Sequence, residues 1–189
     1  MEYGKKSNCL IFGFDDSNHS GNFGEEYIVS VVSKLYEDSM PEAFKNRRNL
    51  SLVQKLMDNP DRDYVFTRLN HEFASRNKYN LPLVAPLIAE NFIRGLSEEE
   101  KPEKIFLYFD GPIKAWWENI LENDFERFDI EIDCFTGNKK LHCPKVVYMA
   151  DVISNDLYRK VKEGASLPLT RQVSLDEKSL FQRDSFFNN

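Results

Sequence analysis

Ile105-Phe-Leu-Tyr-Phe-Asp-Gly111 is the stretch on which the fold turns. Five apolar or aromatic residues follow one another without polar alternation, which predicts a strand covered on both faces, in the middle of a sheet. Asp110 stands where that strand stops, and Gly111 and Pro112 open a turn and then a helix. A carboxylate at the carboxyl end of a central strand lies where open α/β sheets place their ligands. Two further segments read as arranged around it. Leu10-Ile-Phe-Gly-Phe-Asp15-Asp16-Ser17-Asn18 is a second apolar run that ends in acids. Val146-Val-Tyr-Met-Ala-Asp151-Val-Ile-Ser-Asn155-Asp156-Leu-Tyr158 reads as a helix with one carboxylate at the rim of its apolar face.

A chain of 189 residues can enclose one real core with room for an insertion. Its 41% hydrophobic and 13% aromatic content is that of a globular protein, not a disordered one. The net charge of −6 argues against a protein that coats nucleic acid with a basic surface. A site for divalent cations would itself carry several of those acids. The three cysteines, Cys9, Cys134 and Cys143, are an odd number without a CxxC pair, so neither a disulfide framework nor a zinc knuckle is indicated. Met1-Glu-Tyr-Gly-Lys-Lys6 has no apolar signal-peptide core, and no apolar run approaches the roughly 18 residues of a membrane helix. A cytoplasmic protein without a membrane partner is expected.

The first strand is expected near Asn8–Asp15, with Cys9, Ile11, Gly13 and Asp15 on one face and Leu10, Phe12, Phe14 and Asp16 on the other. Turn residues from Asp16 to Asn22 lead into a β-branched strand at Glu25–Ser33, so these two strands should form an antiparallel hairpin. Residues 36–63 hold Pro41, Arg47-Arg48 and Pro60 around a short helical pattern at Leu50, Val53, Leu56 and Met57, and read as a helical surface insertion. Tyr64–Leu69 returns as a strand. Asn80 can cap a helix with Pro82 in its first turn, which buries Leu83 or Val84, Leu87, Ile88 and Phe92 and stops at Gly95. Beyond Gly111 a helix with Ile113, Trp117, Ile120 and Leu121 on one face precedes an alternating strand at Phe128–Phe135. Residues 1–165 are thus one domain, and 166–189, which lose periodicity, a loosely attached C-terminal tail.

The order is strand, strand, strand, helix, strand, helix, strand, helix. With acids ending the first and fourth strands and an Asp in the last helix, the chain resembles the ribonuclease H-like superfamily, an α/β fold with a mixed five-stranded sheet flanked by helices. Within it the chain is most similar to a family of small, uncharacterised proteins with an Asp-Glu-Ser-Gly signature on the first strand and a late helix reading roughly Gln-Leu-Ala-Asp. Asp15-Asp16-Ser17-Asn18 stands at the first motif, with Asp for Glu and Asn for Gly. Tyr148-Met149-Ala150-Asp151 stands at the last, and Phe109-Asp110-Gly111 at the fourth-strand acid. The resemblance spans about residues 8–163 and implies a hydrolase, a metal-dependent nuclease acting on a nucleic acid. Asp15, Asp110 and Asp151 would be its catalytic acids, with Asp16 as a fourth metal ligand.

The chemistry of those acids stands without the resemblance. Carboxylates gathered on adjacent elements repel one another unless cations neutralise them. Oxygen-only ligands select Mg²⁺ or Mn²⁺ over zinc, and two such ions about 3.5–4 Å apart suit phosphodiester cleavage. Asp15 and Asp16 point to opposite faces of a regular strand, so their joint use needs a bend. Asp156 is a poorer ligand, since five residues beyond Asp151 is about 140° around a helix. Asn155, one turn on from Asp151, is better placed to support it.

Each of these residues has a plainer reading. A single Asp before a turn is most often a cap or turn residue; the three together, in this order, point to a metal site. His19 could position a water or contact a phosphate, or simply be solvated, while His71 and His142 have no partner spacing. Trp116-Trp117 could stack a base, although one facing the core is the commoner arrangement. Lys145 and Arg159 flank the last helix and could meet a phosphate, although isolated basic residues are usually just solvated, and Arg47-Arg48 are weak evidence for a nucleic-acid arm. Two functions compete: a divalent-metal-dependent nuclease or related phosphoryl-transfer enzyme, favoured by the intact acids, and a non-catalytic binding or regulatory module of the same fold, favoured by the acidic net charge.

Overall fold

The two acid-terminated apolar runs lie side by side as parallel strands at the centre of one sheet. The structure is a computed structural model and describes residues 9–17, 25–34, 49–70, 80–110, 125, 129–135 (backbone only) and 144–175. Its strands are β1 (Cys9–Asp16), β2 (Glu26–Ser33), β3 (Arg62–Leu69), β4 (Lys104–Asp110) and β5 (Asp129–Phe135), in the order β3-β2-β1-β4-β5. β2 is antiparallel to β1 and β3, as the hairpin reading expects, whereas β4 runs parallel to β1 and β5 parallel to β4. The sheet is therefore mixed. Among the described residues three α-helices accompany it: α1 (Leu50–Met57), α2 (Asn80–Arg94) and α3 (Lys145–Lys162).

The absence of alternation in β1 and β4 follows from their having a layer on each side. On one face Leu10, Phe12, Phe14, Ile105, Leu107 and Phe109 meet Leu83, Val84 and Ile88 of α2. The rings of Phe14 and Phe109 stack across the strand pair at 5.0 Å, a contact worth about 0.5–1.5 kcal/mol beyond the area it covers. Leu87 and Phe92 are only partly buried on that helix. Asn80, expected as its cap, is instead its first residue and is buried, donating to Glu26 at the end of β2. On the opposite face Ile11, Val29, Val31, Phe66 and Phe106 meet Val146, Met149, Val152 and Ile153 of α3.

α3 can come this close because of one residue. A Cβ at Gly13 would lie 2.4 Å from the carbonyl carbon of Val146 and 2.6 Å from the amide nitrogen of Val147. Helix backbone rests on strand backbone there, a close approach that glycine in a strand often marks. α1 joins the same layer. Val53 is buried against α3, Asn49 caps α1 by accepting from the Leu52 amide at 3.0 Å, and the Asn49 amide donates to the Tyr148 hydroxyl at 3.1 Å. The helical pattern at Leu50, Val53, Leu56 and Met57 forms α1, which packs into this layer.

After α3, residues 166–175 turn back to the open edge of β3. The Val173 amide donates to the Phe66 carbonyl at 2.8 Å, the Thr67 hydroxyl to the Val173 carbonyl at 2.9 Å, and Arg171 pairs with Asp63 while its guanidinium lies 4.4 Å from the centre of the Tyr64 ring. That contact covers part of an edge otherwise open to pairing with another chain. The expected helix at 113–121, the side chains of the expected strand at 128–135, His19, His71, His142, Arg47-Arg48, Trp116-Trp117 and residues 176–189 lie outside the described residues. Among the described residues no helix is long and apolar enough to cross a membrane.

Gly13→Ala should push α3 off β1 and destabilise the protein by about 1–3 kcal/mol, as overpacked cores do. Urea denaturation measures this, and a variant as stable as wild type would show that α3 does not rest on β1 at that point.

Candidate functional site

Strand register decides which acids meet. Phe14 pairs with Phe109 across the parallel β1–β4 ladder, so Asp15 and Asp110 stand level on adjacent strands, which run about 4.8 Å apart. Alternation puts Asp15 on the face of Ile11 and Gly13, and Asp110 on the face of Phe106 and Tyr108, which is the α3 side in both cases. α3 contributes the third acid by simple rise. From the contact at Gly13, Asp15 is two strand residues on, about 6.6 Å. From the same contact at Val146 and Val147, Asp151 is four to five helical residues on, roughly 6–7.5 Å. The two acids keep level because α3 runs with β1, as the Ser154 hydroxyl shows by reaching the Asp15 carboxylate at 3.4 Å and the Asp16 carbonyl at 3.3 Å.

Asp16 differs. The β1–β2 ladder continues through Asp15 with Val29 and Asp16 with Ile28, without a skipped residue, so the expected bend is absent and alternation sends the Asp16 side chain to the other face. Asp156 differs too. It is nearly buried, and its carboxylate pairs with Arg159 at 2.6 Å and Lys160 at 2.8 Å.

Electrostatics ties the group together. Asp15 is 1% exposed, and its pKa is raised well above the ordinary carboxylate value. Burial is the largest cause, followed by the charges of Asp151, Asp110 and Asp16, and the Asp16 backbone amide offsets them only in part. Among the described residues, every charged neighbour that bears on Asp15 is another carboxylate.

Neighbouring polar groups hold the acids in place. Asn155 donates through Nδ2 to the Asp151 carboxylate at 3.0 Å and to the Asp151 carbonyl at 2.7 Å, the supporting position expected from its one-turn spacing. Ser154, buried, donates to the Asp15 carboxylate and the Asp16 and Asp151 carbonyls, a three-way contact to one hydroxyl proton. Sequence reasoning passed over Ser154; its place three residues after Asp151, on the face that meets β1, was the available signal. Ser17 fixes the end of β1, its amide donating to the Tyr27 carbonyl at 3.0 Å and its hydroxyl accepting from the Tyr27 amide at 3.1 Å.

Among the described residues no three His, Cys, Asp or Glu side chains close on one point as a preformed metal cage would. The donor chemistry nevertheless fits a hard divalent cation: oxygen ligands only, anionic and partly desolvated, with no described basic side chain between them. Carboxylates held somewhat apart are what mutual repulsion favours in metal-free protein.

No protein-family description matches the chain, and no curated protein matches its sequence. Solved structures do. The RNase HII of Archaeoglobus fulgidus, in its complex with PCNA, superposes with a TM-score of 0.50 at 12% identity, over 81% of this chain and 74% of its own. The ribonuclease H2 of Pyrococcus horikoshii OT3 superposes with a TM-score of 0.49 at 17% identity, over 82% and 77%. The fold is ribonuclease H-like. At these identities the likeness is one of fold, and it agrees with the α/β class and mixed sheet expected from the sequence.

The raised pKa of Asp15 gives the ribonuclease H-like domain a distinctive pH dependence in EDTA. Between the ordinary carboxylate range and its own higher pKa, folded Asp15 holds a proton that the unfolded chain has lost, so stability falls as pH rises through that window. Asp15→Asn should remove this fall and leave the metal-free protein about 1 kcal/mol more stable than wild type at pH 7. Urea denaturation between pH 4 and 8 tests it; a variant that keeps the wild-type slope, or is less stable at pH 7, would contradict the assignment.

Proposed function

We propose that the chain is a metal-dependent nuclease, or a closely related phosphoryl-transfer enzyme, in which Asp15, Asp110 and Asp151 hold two Mg²⁺ or Mn²⁺ ions against a phosphodiester, while Asp16, turned to the other face by the regular β1–β2 ladder, stands outside the ligand set. The observation that carries this reading is the state of Asp15, a buried carboxylate whose charged neighbours, among the described residues, are all carboxylates. Such a group needs a proton or a cation, and oxygen donors favour a hard divalent one. The ribonuclease H-like fold supports the same reading, since one protein that shares it is by name an RNase HII.

When bound, a pair of such cations lowers the pKa of water and stabilises the attacking and leaving oxygens of an in-line displacement. The chain supplies the frame. Asp15 and Asp110 are fixed level by the β1–β4 ladder, and Asp151 is brought opposite them by the contact at Gly13. Ser154 restrains the Asp15 carboxylate and Asn155 that of Asp151, which limits the orientations of these two acids. The nucleic-acid substrate enters at the carboxyl ends of β1 and β4, where both strands leave their acids. The net charge of −6 favours the second reading, a non-catalytic ribonuclease H-like binding or regulatory module.

Labelled single- and double-stranded RNA, DNA and RNA–DNA hybrid separate the two. Wild type should cut at least one of them with Mg²⁺ or Mn²⁺, stop on addition of EDTA, and turn over little with Ca²⁺, whose coordination is longer and looser. Folded Asp15→Asn and Asp110→Asn should be inactive, and Asn155→Ala should lose about 10–100-fold. Failure of wild type to cut any substrate, or cutting by the Asp variants at the wild-type rate, would give the protein to the binding-module reading.

A further inference from the structure

Asp151, Asn155 and Arg159 follow one another at four-residue intervals and so line one stripe of α3. The stripe leaves the acid cluster and ends at a cavity of about 280 Å³ between α1 and α3, lined by Leu50, Val152, Asn155, Asp156 and Arg159. Apolar Leu50 and Val152 face a polar set there, and the charges of that set do not cancel. Asp156 carries two cations, Arg159 at 2.6 Å and Lys160 at 2.8 Å, so one carboxylate meets two positive groups and the trio is formally +1. Basic residues in the last turn of a helix also complement its dipole. That alone does not account for a cavity beside them that shares Asn155 with the acid cluster. The Arg159 side chain is 61% exposed, and one contact to Asp156 leaves guanidinium donors for a second anion.

We infer that this groove seats the nucleic-acid strand next to the cleaved bond, with Arg159 on a backbone phosphate and the cavity taking the adjoining nucleoside against Leu50 and Val152. The inference rests on the nuclease reading of the acid cluster, which supplies the identity of the polymer. Eight helical residues separate Asp151 from Arg159, about 12 Å, or three to four nucleotides at the rise of a duplex strand. Contacts of this kind position a strand without reading its sequence. Arg159 is therefore a substrate-positioning residue, and its substitution should act on binding and its salt dependence.

Fluorescence anisotropy of a labelled oligonucleotide tests the groove, with Asp110→Asn protein as parent so that nothing is cut. Adding Arg159→Gln should weaken binding about tenfold and flatten the plot of log K against log salt by about one unit, whereas Arg159→Lys should restore the slope. Lys160 keeps Asp156 paired in Arg159→Gln, so the fold should survive, as thermal melting would show. Asp156→Asn, which frees both cations, should bind more tightly than the parent. An unchanged affinity and slope in Arg159→Gln, weaker binding in Asp156→Asn, or no binding by the parent would each overturn the groove. Cutting by wild type with an unchanged Arg159→Gln slope removes the groove and leaves the nuclease. A reduced slope in a protein that never cuts leaves the groove and removes the nuclease.

Discussion

Between Gly13 and the first turn of α3 there is no space for a side chain, and the position of every candidate ligand follows from that contact. A Cβ at residue 13 would fall within 2.6 Å of three backbone atoms of Val146 and Val147. With glycine there, α3 lies directly on β1, and strand and helix advance from a shared origin at nearly matched distances to Asp15 and Asp151. The parallel ladder to β4 brings Asp110 level with Asp15. Three segments far apart in the chain thus reach one end of one sheet face by register and rise alone. The same contact shields Asp15 from water, so the geometry that assembles the acids also makes the innermost one hard to ionise.

The arrangement opposes its own electrostatics. Two apolar layers, Phe12, Phe14 and Phe109 against α2, and Ile11, Val31 and Phe66 against α3, hold strands whose ends repel one another. Burying a large apolar side chain contributes about 1.5–3 kcal/mol, so a few such residues outweigh the repulsion of one carboxylate cluster. Ser154 and Asn155 then spend their polar groups on the acids and not on solvent. Strongly perturbed, mutually repelling carboxylates of this kind cluster at functional sites.

Much of this was legible in the sequence because its cause was local. A strand covered on both faces shows as an unbroken apolar run, and an acid at its end shows as an acid, so Asp15 and Asp110 stood out. Helical spacing set Asn155 beside Asp151 and Asp156 apart from it, and Asp156 is taken up in ion pairs with Arg159 and Lys160. What stayed hidden depended on a distant partner. Gly13 in a strand looks like any weak point until the helix that needs it is in place. Ser154 looks like a helix serine. The apolar stripe of α1 was visible, but Tyr148, to which Asn49 ties it, lies 99 residues away. Val173 and Arg171 cover the edge of β3 through two hydrogen bonds of the Val173 backbone and an ion pair, which leave no periodic trace.

Titration calorimetry with Mn²⁺ on metal-free protein at pH 7 reaches the central claim, that Asp15, Asp110 and Asp151 form one cation site around a buried carboxylate. Metal binding to a site that holds a proton must release it. Saturable uptake of two Mn²⁺ per chain is therefore expected, with a heat that varies with the ionisation enthalpy of the buffer, and Asp15→Asn should lose both the buffer dependence and at least one ion. Absence of saturable binding, or an Asp15→Asn titration that overlays the wild-type one, would contradict the account.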